Sequence, residues 1–149
     1  MELVCGGRPG CLVLSLREET TVTEYLITFN DEWVPDFTPE EVREKATSVS
    51  PVIEEMKAAG VFVFGNGGLD VSTAVCSVIK GQDGEPVFTD GPYVETKEHL
   101  GGFAVVDVSD DAAARYWAGR IAVALDWPQE VHRFPRAVEP YETDERPSR

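Results

Sequence analysis

Residues 101–108, Gly-Gly-Phe-Ala-Val-Val-Asp-Val, constrain the fold more than any other stretch of the chain. In an extended strand successive side chains point to opposite faces. Phe103 and Val105 therefore share one face, and Ala104, Val106 and Val108 share the other. A strand that is apolar on both faces is buried between two layers. Only two segments have helical length and an apolar stripe, and two helices cover one face of a four- or five-strand sheet. The patterning runs strand, helix, strands with a hairpin, strand, helix, strand. This order predicts an α+β fold, a ferredoxin-like two-layer sandwich in which an antiparallel sheet carries two helices on one face. The opposite face needs a cover, and the simplest is a second copy of the same sheet. A homodimer is therefore expected.

The elements are read from periodicity and punctuation. Val22–Asn30 alternates, with Tyr25, Ile27 and Phe29 on one face, and predicts the first strand. Thr38 followed by Pro39, Glu40 and Glu41 is a helix start. The helix carries Val42, Ala46, Val49, Ile53 and Met56 as its apolar stripe, and Gly60 ends it. Pro51 lacks an N–H, which predicts a kink or break around Thr47–Ser50. Residues 71–80 read as one strand, with Gly81-Gln82-Asp83-Gly84 as its hairpin turn. Ser109 is expected to cap the second helix, whose stripe is Ala113, Trp117, Ile121 and Ala124. Residues 1–21 are broken by glycine and proline, and read as an N-terminal extension that is disordered or adds a strand. The domain then spans 22–138, and 139–149 reads as a mobile acidic tail.

The totals exclude several functions. The chain has 149 residues, 13 Lys and Arg against 27 Asp and Glu, and a net charge of −14. Such a surface repels phosphate backbones and anionic lipid, so neither nucleic acid nor membrane is an expected partner. No apolar run approaches the ~20 residues of a membrane span, and the start lacks the basic region of a secretion signal. A cytoplasmic protein is expected. Cys5, Cys11 and Cys76 form no disulfide or zinc pattern, and Cys76 is expected in the interior as a small apolar residue. His99 and His132 are the two histidines, and no ligand cluster surrounds them, so no metal site is expected. Phosphate-cradling, dinucleotide-binding and Gly-x-Ser-x-Gly motifs are absent, and no cofactor is expected.

Residues 87–108, VFTDGPYVETKEHLGGFAVVDV, gather the titratable groups. Asp90-Gly91-Pro92 is a turn by composition, and Thr96 can cap a short helical turn over residues 97–100. That structural account competes with a chemical one. His99 changes charge near neutrality, and with Asp90 or Glu98 nearby it can act as general acid or base, Asp90 and His99 being the candidate catalytic residues. Lys97 can receive an anionic group of a small-molecule ligand, and Tyr93 can form a pocket wall. The loop after the first strand can bring Asn30 and Asp31 to the same sheet end as further ligand-binding residues.

The segment TDGPYVETKEHLGGF resembles the signature of the DGPF branch of the YCII-related family, with Tyr93 in place of the usual Phe. PVIEEMKAAGV, residues 51–61, is similar to that family's first helix, and the likeness spans about 22–138. The resemblance implies a dimeric α+β barrel. It also implies two candidate functions. Some relatives are lyase-like enzymes acting on small ring-derived compounds with a His–Asp pair near the first strand. The matching stretch here, FNDEWVP, has no histidine, which leaves Asp90 and His99 as local candidates. The first candidate is therefore an acid/base lyase, isomerase or hydrolase of a small molecule. The second is a non-catalytic metabolite-binding module acting with a regulatory protein partner, because DGPF proteins resemble regulators in their association with sigma-factor-like genes.

Overall fold

The computed structural model describes residues 23–135, so the expectations for residues 1–21 and 139–149 lie outside the described residues. The elements are β1 (Thr23–Asn30), α1 (Pro39–Ala58), β2 (Phe62–Gly67), β3 (Cys76–Lys80), β4 (Pro86–Asp90), β5 (Leu100–Val108), α2 (Asp111–Leu125) and β6 (Glu130–Arg133). Four strands form one sheet in the order β2-β5-β1-β6, and every pairing in it is antiparallel. β3 and β4 pair only with each other, as a separate hairpin inserted between β2 and β5. With α1 and α2 on one face, this is the expected α+β, ferredoxin-like arrangement.

The two faces of β5 divide as the alternation requires. Ala104, Val106 and Val108 are buried, whereas Phe103 and Val105 are half-buried. On β1, Tyr25, Ile27 and Phe29 join the same interior, where Met56, Ala114, Ala118, Ile121 and Leu125 descend from the helices. α2 buries Ile121 as predicted but Ala114, Ala118 and Leu125 in place of Ala113, Trp117 and Ala124, and its cap is Asp110, whose carboxylate accepts the Ala113 N–H at 2.8 Å. Asp serves here as well as Ser109 would, and also suits the positive end of the helix dipole.

α1 starts as its sequence predicts. Thr38 and Glu41 form a reciprocal capping box, with Thr38 N–H donating to Glu41 at 2.8 Å and Glu41 N–H to Thr38 Oγ1 at 3.3 Å. The expected break at Pro51 does not occur, because the helix runs unbroken from Pro39 to Ala58. Proline removes one backbone bond, but Val52 and Met56 are buried beyond it, and that packing keeps the helix continuous. Burial is confined to the second half, since Val42 is 44% exposed and Ala46 is exposed too. Gly60 ends the helix at φ +72°, the left-handed conformation expected of it.

The predicted strand over residues 71–80 is shorter than expected. Asp70 caps a single 3-10 turn at Val71–Thr73, and β3 begins at Cys76. Cys76 is exposed rather than interior, because its strand belongs to the hairpin and not to the main sheet.

Met56→Ala should lower the unfolding free energy by about 2–5 kcal/mol, as it opens a cavity at a fully buried site. Val42→Ala in the same helix should change it by less than about 0.5 kcal/mol. Urea denaturation of the two variants checks the difference, and equal losses would contradict the one-sided burial of α1.

Candidate functional site

The sheet end formed by the close of β1 and the start of β5 is built around one ring. Phe29 pairs with Gly102 and Asn30 with Leu100, with a register shift between Phe29 and Asn30. A Cβ on Gly101 would lie 2.5 Å from a Phe29 ring carbon, and one on Gly102 would lie 2.6 Å from another. The Gly-Gly step is therefore the seat of the Phe29 ring. Thr28 Oγ1 donates to the Gly102 carbonyl at 2.9 Å and fixes the same point.

Past this seat the chain turns through one 3-10 turn, Asp31–Trp33. Asp31 N–H donates to the His99 carbonyl at 2.8 Å, which folds the turn against the residues leading into β5. Glu32 then faces His99 directly. Glu32 Oε2 accepts the His99 backbone N–H at 2.8 Å, and Glu32 Oε1 contacts Nδ1 of the same residue's ring. Next to them Asn30 Nδ2 donates to Glu98 Oε2 at 3.2 Å. Leu69 N–H donates to the Gly101 carbonyl at 3.0 Å, which brings the Asp70 loop to the same sheet end.

The fields here separate the carboxyls. The His99 backbone N–H and then its imidazole hold the Glu32 carboxyl below the ordinary glutamate range. Hydrogen bonds from Ser72, hydroxyl first and then backbone N–H, do the same for Asp70. Partial burial pushes Asp31 up, and the negative charges of Asp70 and Glu32 add to it. Glu32 is thus the settled anion of the group. In a neutral imidazole a carboxylate on Nδ1 favours the tautomer with its proton there, which leaves the Nε2 lone pair free. The His99 side chain is 21% exposed and so keeps contact with solvent.

Of the residues singled out in the sequence, Asn30, Asp31 and His99 come together here. Asp90 ends β4 opposite Cys76, exposed on the hairpin. Tyr93 is 46% exposed, and its hydroxyl donates to Glu95 at 3.3 Å. Lys97 is exposed on the loop between the hairpin and β5. Among the described residues no hydrogen bond joins Asp90, Tyr93 or Lys97 to His99. The predicted helical turn over 97–100 is absent, since Thr96 N–H closes a tight turn on Tyr93 O at 3.0 Å and Leu100 already belongs to β5. Glu32 is the partner that sequence reasoning did not assign, although it lies in the loop flagged beside Asn30 and Asp31.

Other polar clusters have structural explanations. His132 pairs with Glu130 at 3.0 Å on the exposed strand β6. At the start of β1 a shallow concavity is lined by Tyr25, Asp111, Arg115 and Arg133. There Asp111 accepts from the Tyr25 hydroxyl at 2.7 Å and from Arg133 Nε at 2.9 Å, pinning α2 and β6 to β1. Among the described residues no group of His, Cys, Asp and Glu side chains is arranged to hold a metal ion. None of the described helices is long and apolar enough to cross a membrane.

The sign of the Glu32 contribution follows from its lowered value. In the unfolded chain Glu32 titrates near the ordinary glutamate value of about 4.3. Above that pH its bonds to His99 contribute fully, and they are lost as the pH falls through the lower folded value. Wild type should therefore exceed Glu32→Gln in stability at pH 7, and the gap should narrow below about pH 4. Urea unfolding of both proteins at pH 7 and pH 3 checks this, because the other lowered carboxyls, Asp70, Asp111, Glu41 and Glu55, act on both proteins alike. An equal gap at both pH values would contradict the ionic role of Glu32.

Comparison with known proteins adds the family. No curated protein matches the chain. The family model for the YCII-related domain matches residues 23–126, which run from the first residue of β1 to the C-cap of α2. That match takes in β1, the turn after it, the Asp70 loop and β5, which meet at the sheet end of His99, and the chain belongs to the YCII-related domain family.

Proposed function

We propose that the protein is a cytoplasmic acid/base enzyme acting on a small organic acid, with His99 as the proton carrier and Glu32 as the residue that orients it. The Glu32–His99 pair carries this reading. A carboxylate on Nδ1 fixes the ring's orientation and tautomer, so Nε2 can take a proton from a bound substrate while Glu32 stabilises the imidazolium that forms. Asp31 and Asn30 flank the pair and meet the substrate's polar groups. Lys97, two residues before His99 in the chain, receives its anionic group. Asp90 has no proton to move in this scheme, because His99 already has a carboxylate partner. The exposed thiol of Cys76 suits a reducing compartment.

Proton abstraction from carbon has a direct readout. Incubating the protein in D2O with a panel of small hydroxy, keto and ring-derived carboxylic acids should give deuterium incorporation into at least one of them, followed by NMR. His99→Gln should slow that exchange by about 10²–10⁴-fold, the usual worth of a positioned acid/base group, and leave the fold unchanged by circular dichroism. Saturable binding of a panel member without exchange in wild type would favour the non-catalytic metabolite-binding module.

Independently of that chemistry, we propose a homodimer through the sheet face that the helices leave bare. Leu26, Phe103 and Val105 are half-buried there, and Phe64 is 55% exposed with its ring centroid 5.7 Å from that of Phe103. Light scattering at micromolar concentration should give the mass of two chains, and Phe103→Glu should give one chain with helical content retained. A single-chain mass for wild type would overturn the dimer.

A further inference from the structure

The β3–β4 hairpin is apolar on both of its faces. Its register sets Val78 opposite Phe88 and Ile79 opposite Val87. Adjacent pairs in a strand ladder point to opposite faces, so each face of the ribbon carries one apolar pair. Val78 and Phe88 are 50% and 65% exposed, and Ile79 and Val87 are 51% and 45% exposed. At the neck Val75 and Val94 are each 86% exposed. A hairpin with one face in water alternates apolar with polar residues, whereas strands covered on both faces are apolar on both. A lone two-stranded hairpin is also only marginally stable in water. The tip is different. Lys80, Gln82, Asp83 and Glu85 surround a turn closed by Gly81 N–H on the Glu85 carbonyl at 2.7 Å. The ribbon is thus apolar along its stem and polar at its end, as suits an arm that crosses another surface and emerges into solvent.

We infer that this hairpin is a dimerisation arm whose apolar stem packs on a second copy of the chain; the inference rests on the homodimer reading above. Area and charge select that occupant. A standard interface buries about 800 Å² per partner. The bare sheet face contributes one largely exposed side chain, Phe64, and three that are already half-buried, which falls well short. The hairpin stem and neck, with Tyr93, add roughly 500 Å² of apolar surface, and together the two reach the required scale. They are also joined in the chain, since Phe64 lies on the edge strand β2 that leads into the hairpin. Two copies of a chain carrying a net charge of −14 repel one another, so contact is favoured where carboxylates are few. The hairpin has fewer than the bare sheet face, where Glu24 and Asp107 pair on the side of Leu26 and Val105. β3 has none, and β4 has one, at its last residue, Asp90.

Hydrogen–deuterium exchange of the full chain tests the arm, with light scattering on the same samples. In the dimer the amides of residues 77–79 and 87–89 should exchange at least tenfold more slowly than after dilution to the monomer. Phe88→Asp should abolish that protection and weaken association, while the β1 and β5 amides stay protected and report an intact fold. A dimer that persists with the hairpin exchanging freely would overturn the arm and leave the sheet-face dimer standing. Hairpin protection that is independent of concentration would mean that the chain covers its own hairpin, and would overturn the proposal. A monomer at every concentration would overturn the arm together with the dimer. None of these outcomes bears on the exchange assay at His99.

Discussion

The seating of the Phe29 ring on Gly101 and Gly102 is the contact on which both the core and the candidate site depend. Any side chain at either glycine would occupy the space of the ring. With the ring in place, β1 and β5 pair to their ends, and the register shift at Asn30 turns the chain toward His99. The ring also anchors a second layer. Trp127 packs against Phe29 with centroids 5.0 Å apart, and Phe37 against Trp127 at 5.3 Å. Lys45 of α1 lies 5.8 Å from the Phe37 ring centroid and 5.9 Å from that of Trp127. One aromatic stack therefore ties the loop after β1, the first helix and the end of the second to the sheet end that presents His99.

The connection between the helices is of a different kind. Arg120 of α2 reaches Glu55 of α1, with Nη2 to Oε1 at 2.9 Å. The pair is largely exposed, and such pairs contribute little to stability. The helices are held instead by the interior they share, Val52 and Met56 against Ala114, Ala118 and Ile121. Alanines at the contact let the two helices lie close while larger side chains reach the sheet. This division explains why the first half of α1 can remain exposed: the interior ends where Val49 and Val52 begin it, and the earlier turns rest on the capping box at Thr38.

Much of this was legible in the sequence because it is local. The Thr38 cap, the left-handed Gly60 and the two-faced β5 each follow from a few adjacent residues. The layer count followed from those faces and from having only two helices. What was not legible depends on contacts between distant residues. Glu32 and His99 are 67 positions apart, and nothing in either local sequence names the other. Asp90 looked the nearer partner because it is nearer along the chain, but the hairpin carries it into a different sheet. Pro51 predicted a kink or a break from local geometry, and burial of Val52 and Met56 kept the helix continuous through it. Cys76 resembled a core residue by type, and its exposure follows from the hairpin leaving the main sheet, a topological fact that strand periodicity does not encode.

The architecture also divides the labour of the long segment over residues 87–108. Gly91 adopts φ +84°, and its N–H donates to the Val75 carbonyl at 3.2 Å, closing the neck of the hairpin. Asp90-Gly91-Pro92 is therefore a hinge between the ribbon and the return to the sheet, and Gly101-Gly102 is the seat of a ring. Both ends of the segment are explained by shape alone. Between them, Glu98 and His99 meet the loop after β1 through side chains, and His99 is held three times: N–H and Nδ1 by Glu32, and carbonyl by Asp31. A ring whose own backbone is clamped by the group that binds its imidazole loses rotational freedom twice over. Orientation of that kind suits proton transfer, where a misplaced acceptor loses most of its advantage, and the same bonds hold the turn after β1 against the start of β5.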